Sequence, residues 1–568
     1  MAIRGAGSKR TARDFVLTRD GFDTLARSLR TRASRGQAAP VRLRGPVFDG
    51  SVTDFVRTAV PLPLAAERLP GILADATAGG VPVVVAADSD LPPCCLGPEL
   101  RRHEALQAGP GAAPSHADRY FGAACRGCAL SDRCPGLSCA YAVLVGDDGL
   151  RRLRPNDLPT GLRPRARRPA RRVGPADWRK QARETLTGRP GRALRVGDLL
   201  PLDRLPALAC ILPWTRLDLF PGGKPPARHT YGPCCSVFPK EMRSAPPGAS
   251  PAELFDSDWM QDFRRAMLAG EPERLCRETC PMLQMRNARL EDHVLAGGPA
   301  PFVEAQLDRV EAILDGRLRL DMGPEMLHLP PVSACNYDCL MCEWGEDGTL
   351  DDELSDVFWT GLGRLLPGLK RVLVSSAGEP LLSPAFRRFV ASFPFADAPW
   401  LELTMVTNAS LLDERTVETL GRVPRCDVVV SLNAATAATY RRVNRGLPLA
   451  RIRPKIDLLR TAFADGRLRG GLVYSMVLLR ANHHELVDFC ELAERDGAGV
   501  RLMLPYYDRG GQSSLTDRRV METSLADLET VLRERCGKGW WNNWIRDVLF
   551  VAKLLRRRLD DGVEAPLP

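Results

Sequence analysis

From Glu325 onward, short unbroken apolar runs alternate with stretches whose apolar positions recur every three or four residues. The runs are Met326–Val332, Arg371–Ser375, Leu401–Thr407, Asp427–Leu432, Leu472–Leu479 and Val500–Leu504. They are rich in aliphatic and β-branched side chains and lack polar alternation, as strands covered on both faces do. Between them, Asp413–Val423, Ile452–Phe463 and His484–Arg495 carry helical spacing. Strands and helices taking turns predict an α/β fold with a parallel sheet, here a partial (β/α)6 TIM-like barrel over residues 325–510. Such sheets place their chemistry at the C-terminal ends of the strands.

Upstream the pattern is less regular. A β-branched run at 80–87 predicts a strand. Asp258–Leu268 spaces Trp259, Phe263 and Met267 along one helical face, and 299–320 reads as a helix. Trp540–Leu559 is apolar on one side and ends in Arg556, Arg557 and Arg558, which suits a helix packed on the protein with cations at its C-terminus. These shifts divide the chain into an N-terminal domain (1–150, with a cysteine-rich segment at 94–139), a basic linker (151–195), a small cysteine-rich domain (196–285), a connecting helical segment (286–324), the barrel (325–510) and a helical extension (511–568). The two cysteine-rich regions read as small α+β cluster-binding domains.

Composition narrows the class. The 568 residues are 44% hydrophobic and 26% charged, ordinary for globular protein. No apolar run follows the N-terminal charges, and none reaches the roughly 18 residues of a membrane span. A cytoplasmic protein is expected. The net charge of +10 is concentrated between Arg151 and Lys180, where ten arginines and a lysine face two aspartates among prolines. Without interleaved aromatics this run reads as a solvated linker, and nucleic acid is not an expected partner.

Seventeen cysteines in a reducing compartment point to metal rather than disulfides. Cys426, Cys490 and Cys536 stand alone and read as small buried hydrophobes. The other fourteen form three groups. In Cys335-Asn336-Tyr337-Asp338-Cys339-Leu340-Met341-Cys342, three thiolates can hold three corners of a [4Fe–4S] cube and leave one iron open. Cys125, Cys128, Cys134 and Cys139, with Cys95 just upstream, suit either zinc or an iron–sulfur cluster. Cys210, one of Cys234 and Cys235, Cys276 and Cys280 make a closed set of four, fit for electron transfer, structure or substrate anchoring.

The three-cysteine loop follows the first predicted strand of the barrel, and further motifs follow the next three. Ala377-Gly378-Glu379-Pro380 follows the second, Thr407-Asn408-Ala409 ends the third, and Ser431-Leu432-Asn433-Ala434 ends the fourth, with Tyr440–Gly446 beyond it. Together these resemble the radical S-adenosylmethionine (SAM) enzymes over about 325–510. The resemblance implies that Cys335, Cys339 and Cys342 ligate a [4Fe–4S] cluster whose open iron binds SAM. It implies reductive cleavage to a 5′-deoxyadenosyl radical that abstracts hydrogen from substrate. By position, Gly378, Glu379 and Pro380 would meet the SAM amino group, and Ser431 and Arg445 its carboxylate and ribose. Val477 would lie near adenine, while Trp344 and Asn408 complete the cofactor-binding set. Ala377, Ala409 and Asn433 depart from the residues common at those places.

Residues 196–285 resemble the auxiliary-cluster module called SPASM, or its shorter twitch form, although here it precedes the barrel. That implies one or two auxiliary [4Fe–4S] clusters, a flavodoxin- or ferredoxin-type reductant, and a peptide or small-molecule substrate. RNA or a small carbohydrate is the alternative substrate. The rival from another class is an iron–sulfur electron carrier or scaffold that does not cleave SAM.

Overall fold

Parallel strands need long crossovers, and the helical stretches between the apolar runs supply them. The computed structural model describes residues 13–37, 39–107, 119–120, 125, 128–130, 133–146, 149–154, 157–159, 162, 177–200, 205–206, 208–222, 229–234, 239–277, 280, 288–342, 344, 348–375, 377–505, 508–535 and 543–562. The chain forms two compact units, residues 1–170 with 521–562, and residues 171–520 with 563–568.

In the first unit, β1 (Arg13–Val16), β2 (Val41–Arg44) and β3 (Val83–Val85) form a parallel sheet in that order. Helices Phe22–Ser34 and Leu62–Ala78 are the crossover material, burying Leu25, Leu29, Leu69 and Leu73. Helix Asn543–Asp561 buries Val548, Leu549, Ala552 and Leu555 against helix Cys139–Leu144 of this same unit. The sequence reading set 511–568 apart as an extension of the barrel; residues 521–562 fold with the N-terminal residues instead. No helix among the described residues is long and apolar enough to cross a membrane.

The second unit is built on one nine-stranded sheet. Its strands are β4 (Arg216–Pro221), β5 (His229–Gly232), β6 (Arg243–Ser244), β7 (Met326–Leu329), β8 (Arg371–Val374), β9 (Glu402–Thr407), β10 (Arg425–Ser431), β11 (Leu472–Val477) and β12 (Gly499–Met503). The order is β12-β11-β10-β9-β8-β7-β4-β5-β6, parallel from β12 through β4, with β5 and β6 antiparallel. The six predicted runs are thus six adjacent parallel strands. Burial alternates along them. Leu327, Leu329, Val372, Val374, Leu403, Met405, Val428, Val430, Tyr474, Met476, Val500 and Leu502 are buried on one face. On the other, Leu373, Thr404, Asp427, Ser431, Val473 and Arg501 are partly exposed.

β4 corrects the expected boundary between 196–285 and 325–510. Arg216, Leu217 and Asp218 pair with Met326, Leu327 and His328, so the upstream cysteine region shares a sheet with the apolar runs. An uncovered β7 edge would leave backbone donors and acceptors unpaired, and β4 satisfies them. The linker expected at 151–195 is also partly structured. Trp178, Ala182 and Leu186 bury one face of helix Trp178–Leu186, whose Arg179 reaches Glu304, Asp308 and Glu311 on helix Ala300–Leu314. Two buried guanidiniums fix the turn before β4: Arg264 donates to the carbonyls of Pro213, Phe255 and Leu318, and Arg309 to those of Trp214 and Gly323.

Glu325 anchors the start of β7. Its carboxylate lies 2.7 Å from Lys370 Nζ, 3.3 Å from His293 Nε2 and 3.8 Å from Arg309 Nε. Burial alone would raise its pKa, but Lys370, His293 and Arg309 prevail and hold it well below the usual carboxylate range. A depressed folded pKa stabilises above the unfolded value and loses that contribution as pH falls. Glu325→Gln is expected to cost about 3 kcal/mol at pH 7 by stranding the cations. The cost should shrink below the ordinary carboxyl value of 4.5. Chemical denaturation at two pH values checks this, and an equal loss at both would refute it.

Candidate functional site

Pro330 and Pro331 cannot extend a ladder, so the chain leaves β7 there and enters an irregular loop through Cys342. With little internal structure, the loop is held from outside. Glu379 N–H donates to Ala334 O at 2.8 Å, Ala334 N–H to Thr349 O at 3.1 Å, and Leu340 N–H to Val443 O at 2.8 Å. Asn408 Nδ2 donates to Asn336 Oδ1 (2.9 Å), and Asn336 Nδ2 to Ser410 Oγ (2.8 Å). The three sulfurs are half-buried and individually engaged. Asn408 Nδ2 lies 3.8 Å from Cys335 Sγ, the Trp344 N–H 3.4 Å from Cys342 Sγ, and the Cys339 thiol 3.3 Å from Asn444 O. Burial pushes the Cys335 thiol up to about 11 and raises Cys339 as well.

Gly378 lies against this loop. Its φ is +62°, and a Cβ there would meet Val332 O at 2.3 Å and Ala334 O at 2.6 Å. The Glu379 carboxylate, 1% exposed, accepts from Leu381 N–H (3.2 Å), Thr407 Oγ1 (2.8 Å) and Asn408 N–H (2.8 Å). Burial pushes it up to about 7 against those donors. Its side chain therefore binds the end of β9 to the segment after β8. At the end of β10, Asn433 Nδ2 donates to Asn444 Oδ1 (2.9 Å) while its Oδ1 accepts from Val477 N–H (2.9 Å). Asn444 Nδ2 donates to Ser431 O and Leu432 O, and Asn482 Nδ2 to Asn433 O and Val477 O. Asn433 must donate and accept at once, whereas an aspartate carboxylate could only accept.

The other site candidates lie around this edge. Ser431 is partly exposed at the tip of β10. Arg445, at φ +43°, approaches Asp338 at 3.5 Å. Val477, Leu340 and Met341, each partly buried, pack against the buried Val443, Leu479 and Ala481. Pro380 is buried. A Cβ on Gly222, just beyond β4, would come within 4.0 Å of the Trp344 ring. A chain of polar side chains that no sequence motif marks crosses β4, β7 and β8. Asp218 Oδ2 lies 2.9 Å from His328 Nδ1, and His328 Nε2 lies 2.8 Å from Ser375 Oγ. The partners stand 110 and 47 residues from His328 in sequence, so only the β4–β7–β8 pairing reveals them.

Among the upstream cysteines, Cys210, Cys276 and Cys280 are buried near one another, and burial with those two neighbours pushes the Cys210 thiol up to about 12. Cys234 is half-buried; Cys235 lies outside the described residues, as does the side chain of Cys139. Cys95 requires correction. It follows Pro92 and Pro93 in a 3-10 turn that directs it into the core with no exposure, hydrogen-bonded to Cys94. Cys94, not Cys95, shares a cavity with Cys125, Cys128 and Cys134. Among the described residues, no three His, Cys, Asp or Glu side chains converge closely enough to hold a single metal ion.

Residues 329–493 match the Radical SAM superfamily. A "Probable GTP 3′,8-cyclase" of Methanothermobacter marburgensis is 29% identical over 188 residues, which cover 31% of this chain and 56% of that protein. Among solved structures, SuiB of Streptococcus suis bound to S-adenosylmethionine matches at 15% identity and TM-score 0.30, over 49% of this chain and 60% of that one. Native anSMEcpe with bound AdoMet matches at 16% identity and TM-score 0.29, over 38% of this chain and 62% of that one. The chain spans somewhat over half the length of each relative.

The asparagine cluster generates a prediction. Asn433→Asp should lose the donor to Asn444 and set a carboxylate against its amide oxygen, costing about 2 kcal/mol. Asn433→Ser, which keeps a donor, should cost less. Thermal melts of the two variants check the order, and equal melting would refute it.

Proposed function

We propose that residues 325–510 are the catalytic domain of a radical SAM enzyme, with the six parallel strands curled as a partial barrel. The observation that carries this reading is the arrangement at the strand ends. Three thiols are held by the segments after β7, β8, β9 and β10, beside a backbone cradle at Gly378 and an apolar patch at Val477. Three sulfurs suit a [4Fe–4S] cluster with one open iron, and that cluster with SAM supplies, when bound, an electron that breaks the sulfonium C–S bond to give a 5′-deoxyadenosyl radical.

The chain's own residues then have defined tasks. Cys335, Cys339 and Cys342 hold the three irons. Because the Glu379 side chain is occupied by Leu381, Thr407 and Asn408, it is the backbone around Gly378–Pro380 that is left to meet the SAM ammonium. Asn408 braces Cys335, and the Trp344 N–H braces Cys342. The Arg445 guanidinium and Ser431 hydroxyl suit the SAM carboxylate and ribose. Leu340, Met341 and Val477 offer adenine an apolar wall that excludes water.

The substrate side is polar. Asp218, His328, Ser375 and Thr404 share one face of the sheet, the first two buried and the last two partly exposed, and their polarity suits a peptide or a small polar molecule with hydrogen-bonding groups. Cys210, Cys276 and Cys280, with Cys234 or Cys235, would close an auxiliary cluster of the SPASM or twitch kind, and a flavodoxin- or ferredoxin-type protein would supply electrons to the enzyme. Fourteen described cysteines form no disulfide, which suits the reducing cytoplasm.

Anaerobic reconstitution with iron and sulfide, then dithionite and SAM, is expected to yield 5′-deoxyadenosine and methionine. Cys339→Ala should abolish that product while leaving iron at the other cysteine sets. If the reconstituted wild-type protein forms no 5′-deoxyadenosine, the catalytic reading fails in favour of an electron carrier or scaffold.

A further inference from the structure

The N-terminal unit contains a third assembly of sulfur, apart from the strand-end site and from Cys210, Cys276 and Cys280. Pro92 and Pro93 set up a 3-10 turn, in which consecutive side chains point about 120° apart. That turn buries Cys95 and presents Cys94 to a cavity of about 20 Å³ shared with Cys125, Cys128 and Cys134. The remaining walls include Pro92, Pro93, Leu130, Leu150 and Leu153, and the four cysteines are half-buried among them.

The backbone is shaped around these thiols. Cys128 N–H donates to Cys125 O at 3.2 Å, and Cys134 N–H donates to Leu130 O at 2.8 Å. Gly136 N–H lies 3.4 Å from Cys134 Sγ, and the buried Cys95 thiol donates to Cys94. Ala129 N–H donates to Leu153 O at 2.8 Å, which lays the Leu150–Leu153 segment over the cavity and brings Arg151 to its wall. Four sulfurs around one small cavity, with the Gly136 N–H directed at Cys134 and the Cys95 thiol at Cys94, make a preassembled set of soft ligands.

We propose that Cys94, Cys125, Cys128 and Cys134 ligate a [4Fe–4S] cluster in the N-terminal unit, with Cys95 donating a hydrogen bond to the Cys94 sulfur. Four thiolates cap all four irons, so this centre stores or relays electrons or fastens the loop, and it offers no position to a substrate. Zinc would require four sulfurs each about 2.3 Å from one point. Here the sulfurs ring a cavity, and no three ligand side chains among the described residues meet at such a point. The assignment is independent of the reading of Cys335, Cys339 and Cys342.

The test uses the full chain carrying Cys335, Cys339 and Cys342 as alanines, reconstituted anaerobically, so that failure of the SAM site cannot alter the result. Cys94→Ala or Cys128→Ala in that background is expected to remove about four irons and four sulfides per chain. Cys95→Ala should retain them with an altered cluster spectrum. Iodoacetamide labelling of the folded wild-type protein, read by mass spectrometry before and after iron chelation, covers the case in which a variant fails to fold. Cys94, Cys125, Cys128 and Cys134 should become labelled only once iron is stripped. Unchanged iron in Cys94→Ala, equal labelling before and after chelation, or one zinc per chain released from these four thiols would each overturn the assignment.

Discussion

A loop with almost no hydrogen bonds of its own has one position only if its neighbours impose it. Residues 333–342 owe their placement to what the ends of four parallel strands present. The Ala334 carbonyl receives the Glu379 N–H, the Val443 carbonyl receives the Leu340 N–H, and the side chains of Asn336 and Asn408 lock the loop laterally. Behind these lies a layer of buried polar groups whose hydrogen-bonding capacity is consumed in joining one strand end to the next: Glu379 between β8 and β9, and Asn433, Asn444 and Asn482 between β10 and β11. Leaving any one of them unpaired in the interior would cost about 1–3 kcal/mol, so the set specifies one arrangement. The sulfurs inherit that rigidity.

The same logic extends to the sheet's other edge. β4 comes from a region the cysteine spacing sets apart, yet it completes the hydrogen bonding of β7 and brings Asp218 beside His328. Arg216 bonds both oxygens of Asp218, at 2.5 and 2.7 Å. Burial would raise the Asp218 carboxyl, but Arg216 and His328 hold it low, so an anion persists inside the protein and orients the imidazole towards Ser375. A polar group of that kind on an otherwise apolar strand is costly, and its cost is met by a partner from a distant segment. The upstream region is therefore part of the site's architecture as well as a carrier of cysteines.

What was legible from sequence follows the range of the forces involved. Strand runs and helical spacing are local, and Arg371–Ser375 or Leu401–Thr407 differ from the observed β8 and β9 by one residue at an end. The strand-end motifs were legible for the same reason, since each follows its own strand. Four features were not. β4 joining β7, the Asp218–His328–Ser375 chain and the return of residues 521–562 to the N-terminal unit depend on pairings far apart in sequence. The choice between Cys94 and Cys95 turned on a single 3-10 turn, whose step per residue differs enough from a strand's to exchange buried and cavity-facing positions.

The cysteine sets also differ in how many ligands each offers, and that difference bears on their chemistry. At the strand ends, three half-buried sulfurs adjoin partly buried apolar side chains, a glycine whose backbone nothing larger could replace, and a partly exposed guanidinium at Arg445. Three sulfurs can hold three corners of a four-iron cluster and leave the fourth for something that is not protein. In the N-terminal unit, four half-buried sulfurs lie among proline and leucine, with the Gly136 N–H directed at Cys134. Both sets are partly exposed, so it is ligand count that separates them: four thiols around one cavity could cap every corner of a cluster, whereas three could not.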